Sequence, residues 1–454
     1  MIKTINPATE EVIKEYHFLD HRQVTQQIEK THAAQLTWQK TGFEIRAEKM
    51  RKAAEVLRRN KAIYARLMAD EMGKPLADGE SEAEKCAWVC DYYAENAMEF
   101  LKNEIIPSNA LKSMVVFQPL GIVLAIMPWN FPFWQVFRFA APSLMAGNGA
   151  LLKHAPNVFG CAEAIARIFI EAGFPEGLFQ NLIIDTDMAA RVIENDHVKA
   201  VTLTGSTRAG QAVAAKAGAC LKKTVLELGG SDPYIVLEDA NIREAAKICT
   251  ASRLINNGQS CISAKRFIIQ KAIGERFLNM LVTEMEAASY GNPLAPGTQL
   301  GPMARADLRD ALHQQVQKSI DMGARCLTGG KIPEGKGYFY PPTVLTNVRE
   351  GMPAYHEEVF GPVACVIEVD TEAEAIAIAN DSNFGLGAAI FTSDLAKAEN
   401  MASESLEAGS CFINALVKSD PRLPFGGIKE SGYGRELSHF GIREFVNIKT
   451  VYIA

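Results

Sequence analysis

From Gly121 onward the chain alternates short apolar runs with amphipathic stretches, and this alternation restricts the possible fold more than any other feature. The apolar runs cover residues 122–126, 150–152, 182–184, 200–203 and 225–228. Strands that alternate with helices in this way form a mostly parallel sheet with crossover helices. In such sheets, ligands bind beyond the carboxyl ends of the strands. A second pattern of the same kind begins near Asp232, so the sequence predicts an α/β protein with two such regions.

The N-terminal part of the chain has a different pattern. Residues 20–101 are helical in character, and residues 46–71 contain few helix breakers and have apolar positions at three- and four-residue spacing. The most apolar stretch, residues 115–137, is interrupted by three prolines and Asn130, so it lacks the ~20 clean apolar residues of a membrane span. The first residues contain no apolar segment of the secretory kind. We therefore expect a cytoplasmic protein without a membrane partner.

Charge, cysteine spacing and missing motifs exclude several classes of protein. Lys and Arg number 47 and Asp and Glu 53, without a block of like charges, which disfavours a nucleic-acid partner. The nine cysteines are scattered and never spaced as Cys-x-x-Cys, which is typical of reduced thiols. The sequence contains no Gly-x-Gly-x-x-Gly, Gly-x-x-x-x-Gly-Lys-Ser/Thr, His-Glu-x-x-His or Gly-x-Ser-x-Gly motif. Standard nucleotide loops, zinc proteases and α/β-hydrolases therefore lose support, and no metal site is predicted.

Two local patterns suit ligand binding or nucleophilic chemistry. Residues 200–210 form an apolar strand, a Gly-Ser turn and a helix start, whose free amides suit a pyrophosphate. An ordinary capped turn explains the same residues at least as well. Cys261 ends a polar, glycine-containing turn where a ligand can reach a thiol. For this cysteine, a reactive role and an incidental one both stay open.

Two further patterns suit acid–base chemistry and charge stabilisation. Glu227 lies in an apolar strand just before a Gly-Gly turn, and a buried glutamate often has a raised pKa that suits a general base. A structural glutamate bonded to local amides fits equally well. Asn130 stands between Pro128 and Pro132 in a rigid loop, which suits either oxyanion stabilisation or a plain structural turn.

Seven motifs, taken in order, connect these patterns. They are Pro128-Trp-Asn-Phe-Pro132, Lys153, Gly205-Ser-Thr207, Glu227-Leu-Gly-Gly230, Asn257-Gly-Gln-Ser-Cys261, Glu358-Val-Phe-Gly-Pro362 and Pro424-Phe-Gly-Gly-Ile-Lys-Glu-Ser-Gly432. In these motifs and their order the chain resembles the aldehyde dehydrogenase superfamily, from Asn6-Pro-Ala-Thr9 to the C-terminal segment. The resemblance implies a Rossmann-like cofactor domain, an α/β catalytic domain and a small β oligomerisation arm.

The same resemblance implies a covalent mechanism. Cys261 is the expected nucleophile, and Asn130 with the Cys261 backbone amide would stabilise the oxyanion. A hydride then passes to the nicotinamide and leaves a thioester. Glu227 would activate the water that hydrolyses this thioester to a carboxylic acid. Covalent capture of this kind splits one difficult step into two easier ones.

The resemblance also assigns the cofactor site. Gly205 and Ser206 match the pyrophosphate turn, Lys153 matches the residue that meets the adenosine ribose, and Glu358 and Phe360 match the clamp around the nicotinamide ribose and ring. The predicted site also includes Trp129, Pro156 and Leu228. Many NAD-preferring members carry, at the position of Pro156, a glutamate that repels a 2′-phosphate. The expected cofactor is therefore NAD or NADP.

The substrate tunnel is predicted from helical spacing. Phe131, Gln135 and Arg138 share one face if a helix starts after Pro132, and this face follows the oxyanion loop directly. Family members that oxidise succinate semialdehyde have an arginine at the position of Arg138, where it holds the distal carboxylate. A charge-assisted hydrogen bond of this kind discriminates roughly ten- to 150-fold against an uncharged analogue.

The rest of that carboxylate clamp is incomplete. Its second arginine is replaced here by Ile255, and its serine corresponds to Ser419, with Lys418 and Arg422 beside it. We predict NAD(P)-dependent oxidation of a short carboxylated aldehyde, above all succinate semialdehyde to succinate. A broad-specificity enzyme for neutral or cationic aldehydes is favoured instead if Arg138 pairs with an acidic neighbour. A non-catalytic binding protein on the same fold is the second alternative, which the intact catalytic set disfavours.

Domain boundaries follow from the positions of the motifs. We expect a cofactor domain of residues 1–103 and 120–229, a catalytic domain of residues 230–430, and an arm of residues 104–119 and 440–454. The family pairs such an arm with a neighbouring subunit, and an exposed strand of this kind needs a partner edge. A homodimer or homotetramer is therefore expected.

Overall fold

The computed structural model describes residues 2–454, and its N-terminal part is helical as predicted. The helices are α1 (His21–Trp38), α2 (Phe43–Arg59), α3 (Lys61–Met72), α4 (Leu76–Phe100), α5 (Trp134–Met145), α6 (Phe159–Glu171), α7 (Thr186–Glu194), α8 (Thr207–Ala219), α9 (Ile242–Leu254), α10 (Lys271–Ala287), α11 (Ala306–Asp321), α12 (Pro353–His356), α13 (Glu372–Asn380), α14 (Leu395–Asn400) and α15 (Ser438–Arg443). Residues 46–71 belong to two helices rather than one, because the backbone leaves the helical region at Asn60.

A six-stranded sheet contains the first alternating pattern. Its order is β19 (Gly432–Tyr433), β9 (Lys223–Glu227), β8 (Val198–Thr204), β5 (Ile122–Met127), β6 (Gly149–His154) and β7 (Phe179–Asn181). All pairs are parallel except that of β19 with β9. The strand expected at residues 182–184 was placed wrongly. Ile183 accepts a hydrogen bond from Leu19 at 2.9 Å, and Leu182 and Ile184 pack with α1 in an apolar cluster.

A seven-stranded sheet contains the second pattern. Its order is β12 (Arg325–Thr328), β13 (Thr343–Thr346), β14 (Val363–Val369), β11 (Arg266–Gln270), β10 (Pro233–Val236), β16 (Gly387–Phe391) and β17 (Ser410–Ile413). Only the pair of β12 with β13 is antiparallel. Strands β10 and β11 are buried along their whole length, as expected for the centre of a sheet covered on both faces.

Smaller β elements complete the fold. They are the hairpin of β1 (Ile2–Ile5) with β2 (Val12–Tyr16), the pair of β15 (Phe384–Gly385) with β18 (Ile428–Lys429), and a three-stranded sheet in the order β20 (Val446–Ile453), β4 (Lys112–Pro119), β3 (Glu104–Ile105). The predicted α/β fold is confirmed, whereas the domain boundaries stay a prediction. Within residues 2–454, no helix has the length and apolar content needed to cross a membrane.

The topology brings the candidate residues to one region. The loop that contains Asn130 connects β5 to α5, the turn with Gly205 connects β8 to α8, and Glu227 ends β9. These three strands are neighbours, so their carboxyl ends lie at one edge of the six-stranded sheet. The turn with Cys261 lies between α9 and β11 of the other sheet. A site between the two sheets follows from this arrangement.

Candidate active site

Two cavities meet at Cys261. The first, of about 190 Å³, lies between α4, α5 and the chain around Ser419. The second, of about 260 Å³, lies at the ends of β8 and β9. Cys261 and Gln135 line both cavities. Cys261 therefore borders both cavities, as a nucleophile between a substrate and a cofactor must.

The turn before Cys261 has an unusual backbone. Asn256 and Asn257 both have positive φ, 55° and 60°, a region that asparagine tolerates better than most residues. The Asn256 amide donates to the carbonyl of Asn130 at 2.7 Å. The Asn257 amide donates to the carbonyls of Gly73 and Pro302, both at 3.0 Å. These side-chain bonds hold the strained turn and so fix the position of the cysteine.

Asn130 is held by both ends of its side-chain amide. Its Nδ2 donates to the carbonyl of Gln259 at 3.1 Å, and its Oδ1 accepts from Nε2 of Gln135 at 2.9 Å. A primary amide carries two N–H donors, and only one is used here. The orientation of Asn130 thus fits the predicted oxyanion role, because a fixed donor beside the nucleophile stabilises developing negative charge.

The surroundings of Cys261 favour the protonated thiol over the thiolate. Burial raises its pKa to about 12, and the positive charges of Lys265 and Arg138 oppose this rise. The Lys265 ammonium donates to the carbonyl of Cys261 at 2.8 Å and lies 3.6 Å from Oε1 of Glu358. Formation of the thiolate therefore requires a proton acceptor or a change of surroundings when ligands bind.

Glu227 lies behind the walls of the two cavities, and neither cavity is lined by it. Its side chain is buried, and both carboxylate oxygens lack a hydrogen-bond partner among the described residues. Burial raises its pKa well above the usual range, and the nearby Glu436 adds to this while Arg138 opposes it. These surroundings favour the protonated carboxyl of Glu227, and the side chain does not line the cavities that contain Cys261.

The second cavity brings together six of the eight predicted cofactor residues. They are Trp129, Gly205, Ser206, Leu228, Glu358 and Phe360. Ser206 caps α8 by accepting from the Ala209 amide at 3.3 Å, so the turn is an ordinary cap and also presents the N-terminus of a helix to the cavity. The rings of Trp129 and Phe360 meet edge to face, with centroids 5.9 Å apart.

Close packing shapes this cavity for a nucleotide. A Cβ at Gly229 would lie 2.6 Å from Oε2 of Glu358, so a larger residue here would force that carboxylate to move. Glu358 is itself fixed, since its Oε1 accepts from the Gly230 amide at 3.0 Å. A helix N-terminus at one end and a fixed carboxylate at the other fit the pyrophosphate and the nicotinamide ribose of a dinucleotide.

Lys153 and Pro156 lie outside the wall of this cavity. Lys153 is near the end of β6, in register with Ile126 of β5, and Pro156 begins the 3₁₀ turn Pro156–Val158. Both residues are therefore at the same sheet edge as Gly205, two strands away, which is about 10 Å at the usual strand spacing. This is the direction in which an adenosine would extend from the α8 turn.

All four predicted substrate residues line the first cavity: Phe131, Gln135, Arg138 and Ser419. The Arg138 guanidinium, however, is already occupied. It forms a buried ion pair with Glu436, donates to Oγ1 of Thr204 at 3.3 Å, and lies 4.5 Å from the ring centroid of Phe425. The role of Arg138 as carboxylate ligand stays a prediction, and this acidic partner weakens it.

Lys418 and Arg422 do not both line the first cavity, although both were expected near the carboxylate site. Arg422 is bound to Asp420 at 2.7 Å and is absent from the cavity wall, whereas Lys418 is exposed at the wall. Sequence reasoning missed another cation in the wall of the first cavity, Lys85 of α4. Its ammonium donates to Oγ of Ser419 at 2.8 Å.

A signal for this cation was present in the sequence. Spacings of four and three residues separate Asp78, Glu82 and Lys85, and such spacings place the three side chains on one face of a helix. All three line the first cavity. Glu82 also accepts from the amides of Phe133 and Trp134, both at 2.9 Å, and so fixes the start of α5.

The fold and the site together define the class of protein. The model of the aldehyde dehydrogenase family matches residues 1–451, and the chain belongs to that family. The predicted class of enzyme, an aldehyde dehydrogenase that uses a nicotinamide cofactor, is thereby confirmed.

Particular relatives are similar over their full length. A probable succinate-semialdehyde dehydrogenase [NADP(+)] of Synechocystis is 49% identical over 456 residues, which cover all of both chains. The succinate semialdehyde dehydrogenase [NAD(P)+] Sad of Escherichia coli is 47% identical, over 99% of this chain and 97% of the relative. The crystal structure of succinic semialdehyde dehydrogenase from Streptococcus pyogenes in complex with NADP+ superposes with a TM-score of 0.98 at 38% identity, over all of both chains.

Proposed function

We propose that this protein oxidises succinate semialdehyde to succinate with NADP or NAD as the hydride acceptor. The observation that carries the proposal is the position of Cys261 at the junction of two cavities, one with the cofactor residues and one with polar groups beyond the thiol. The relatives named for this reaction, at 47% and 49% identity over the whole chain, support it.

In this proposal, the Cys261 thiol loses its proton to solvent water, and the sulfur of the thiolate adds to the aldehyde carbon. The carbonyl oxygen becomes an oxyanion, which accepts hydrogen bonds from the free N–H of Asn130 and from the Cys261 amide. The cofactor, when bound, supplies the acceptor for the hydride that leaves this carbon, and a thioester to Cys261 remains. Turns that hold Asn130 and Cys261 in place before the substrate arrives make such stabilisation effective.

Glu227 completes the proposed reaction as general base. Its carboxylate must move from its place beside Glu436 to reach water next to the thioester, because neither cavity wall includes it. There it takes a proton from that water, whose oxygen bonds to the acyl carbon while the carbon–sulfur bond breaks. The Cys261 thiolate leaves and takes the proton from Glu227, and the new carboxyl group loses its proton to solvent as succinate departs.

Product analysis tests the proposed reaction. The purified protein is incubated with succinate semialdehyde and NADP, and separately with NAD, and succinate and reduced cofactor are both measured. We expect one succinate for each reduced cofactor. The variant Cys261→Ala should form neither, and turnover that persists in this variant would contradict the assignment of the nucleophile.

One observation favours a second candidate function, the oxidation of neutral aldehydes in general. Arg138, the arginine that would select a carboxylate, is paired with Glu436 inside the protein. If no other cation takes over its task, the first cavity has no preference for an anion. Comparison of a carboxylated with a neutral aldehyde of equal length distinguishes the two functions.

We propose that the chain assembles through the small sheet, as a homodimer or homotetramer, and keep the domain boundaries given above. Strand β20 is an edge strand of that sheet, and it exposes 63% of Ile448 and 54% of Tyr452. Exposed apolar edges are regularly covered by a partner. Elution at the monomer mass of 49.6 kDa in size-exclusion chromatography would contradict this assembly.

A further inference from the structure

Four cationic side chains line the first cavity: Lys74, Lys85, Arg138 and Lys418. Two of them are neutralised by buried carboxylates, Lys74 by Glu82 and Arg138 by Glu436. Within residues 2–454, no carboxylate lies within salt-bridge distance of Lys85 or Lys418, but Lys418 is exposed whereas Lys85 is half-buried. Lys85 is therefore the unpaired cation of this cavity that is better shielded from solvent.

The surroundings of Lys85 hold its ammonium in one place. It donates to Oγ of Ser419 at 2.8 Å and lies 4.3 Å from the ring centroid of Trp134. A cation over an indole ring is attracted by the ring electrons, and the contact also restricts the lysine side chain. The Ser419 hydroxyl accepts from Lys85, so its own hydrogen stays available for an acceptor in the cavity.

We propose that Lys85, beside the clamp serine already expected at Ser419, binds the distal carboxylate of the substrate and sets the specificity of the enzyme. The inference rests on the proposed function and names the residues that recognise its substrate class, a short aldehyde with an ω-carboxylate. The Lys85 ammonium and the Ser419 hydroxyl are two donors 2.8 Å apart, one of them charged, and such a pair matches the oxygens of a carboxylate. In this proposal Arg138 is a positioning residue, because its positive charge neutralises the buried carboxylate of Glu436.

Other charged groups around Lys85 do not take the place of a substrate carboxylate. Burial lowers the pKa of Lys85 to about 8; Arg138 of α5 acts in the same direction, while Glu82 and Cys86 of α4 and Asp420 oppose it. Asp420 is bound to Arg422 at 2.7 Å.

Asp78, in the same wall as Lys85, is also a poor permanent partner. Burial raises the pKa of its carboxyl, which makes its charged form less favourable. A substrate carboxylate therefore meets a lysine that lacks a committed counter-charge.

The test compares succinate semialdehyde with butanal, a neutral aldehyde of equal chain length, in the wild type and in Lys85→Met. We expect Lys85→Met to raise KM for succinate semialdehyde by about ten- to 150-fold, the range of one charge-assisted hydrogen bond. KM and kcat for butanal should change less than about twofold, which also reports that the variant is folded. Lys85→Arg should restore part of the lost preference.

A matched control and a second variant keep the test decisive. Lys102→Met removes an exposed ammonium just beyond the end of α4. It should leave KM and kcat unchanged for both substrates. Ser419→Ala should raise KM for succinate semialdehyde but not for butanal, by a smaller factor than Lys85→Met does. If Lys85→Met does not fold, the result with Ser419→Ala tests the proposal in its place.

Failure of the inference can be told apart from failure of the proposed function. A high wild-type preference that survives in Lys85→Met and in Ser419→Ala overturns the role of this pair and leaves the proposed function standing. A wild type without preference overturns the proposed function itself, and the inference with it.

Discussion

Arg138, in the wall of the first cavity, forms an ion pair with Glu436, which does not line the cavity, and both side chains are almost completely buried. Glu227 lies near the same guanidinium, so one arginine faces two buried carboxylates. A buried charge that loses its partner destabilises a protein strongly, by about 3–5 kcal/mol. The pair therefore links the stability of the fold to the environment of the proposed general base.

The variant Arg138→Leu tests this link. We expect a loss of stability of about 3–5 kcal/mol, because Glu436 keeps its buried place without a counter-charge. Activity should fall for succinate semialdehyde and butanal alike, since the defect lies in the environment of Glu227. Denaturant unfolding and steady-state kinetics measure the two effects. A selective rise of KM for succinate semialdehyde would instead show that Arg138 binds the substrate.

A double-mutant cycle separates the pair from its surroundings. Arg138→Met with Glu436→Met should be more stable than Arg138→Met alone, because the double variant leaves no unpaired charge at this position. The comparison uses the free energy of unfolding of the wild type, both single variants and the double variant. Strict additivity of the two single changes would contradict a direct interaction.

The protonation of Cys261 is open to a direct chemical test. The thiolate is the reactive form, and below the pKa its fraction rises about tenfold for each pH unit. Burial raises the pKa of this thiol to about 12. The rate of alkylation by iodoacetamide, without cofactor, should therefore still rise between about pH 8 and about pH 10. A plateau below about pH 8 would show a thiolate already formed in the free protein.

Glu227→Gln should separate the two halves of the reaction. Glutamine keeps the shape of the side chain but cannot take a proton from water, so the thioester would accumulate. We expect a rapid burst of about one reduced cofactor per active site, followed by a much slower steady rate. Burial raises the pKa of Glu227, so its basic form, and with it thioester hydrolysis in the wild type, should increase with pH. A variant with wild-type steady-state turnover would exclude Glu227 as the base.

The charge of Lys85 predicts a pH dependence of substrate preference. Its pKa is lowered to about 8, and a lysine is charged below its pKa and neutral above it. The ratio of kcat/KM for succinate semialdehyde to that for butanal should therefore fall as the pH rises from about 7 to about 9.5. Groups that serve both substrates, such as Cys261 and Glu227, cancel in this ratio. A ratio that does not change over this range would contradict the role of Lys85.

The sequence was informative where function depends on neighbouring residues. Apolar runs predicted β5, β8 and β9, and short motifs marked the turns with Asn130 and Gly205, because strand burial and turn chemistry are local properties. The charge partners were not predictable in this way. Ser419 meets Lys85 across 334 positions of the chain, and no local pattern shows that Glu436 neutralises Arg138.

The most direct test of this account is the ratio of kcat/KM for succinate semialdehyde to kcat/KM for butanal, measured with the wild type and NADP. A positively charged site beyond Cys261 predicts a ratio well above about ten, the lower limit for one charge-assisted hydrogen bond. A ratio near one would contradict recognition of the carboxylate and would leave a general aldehyde dehydrogenase.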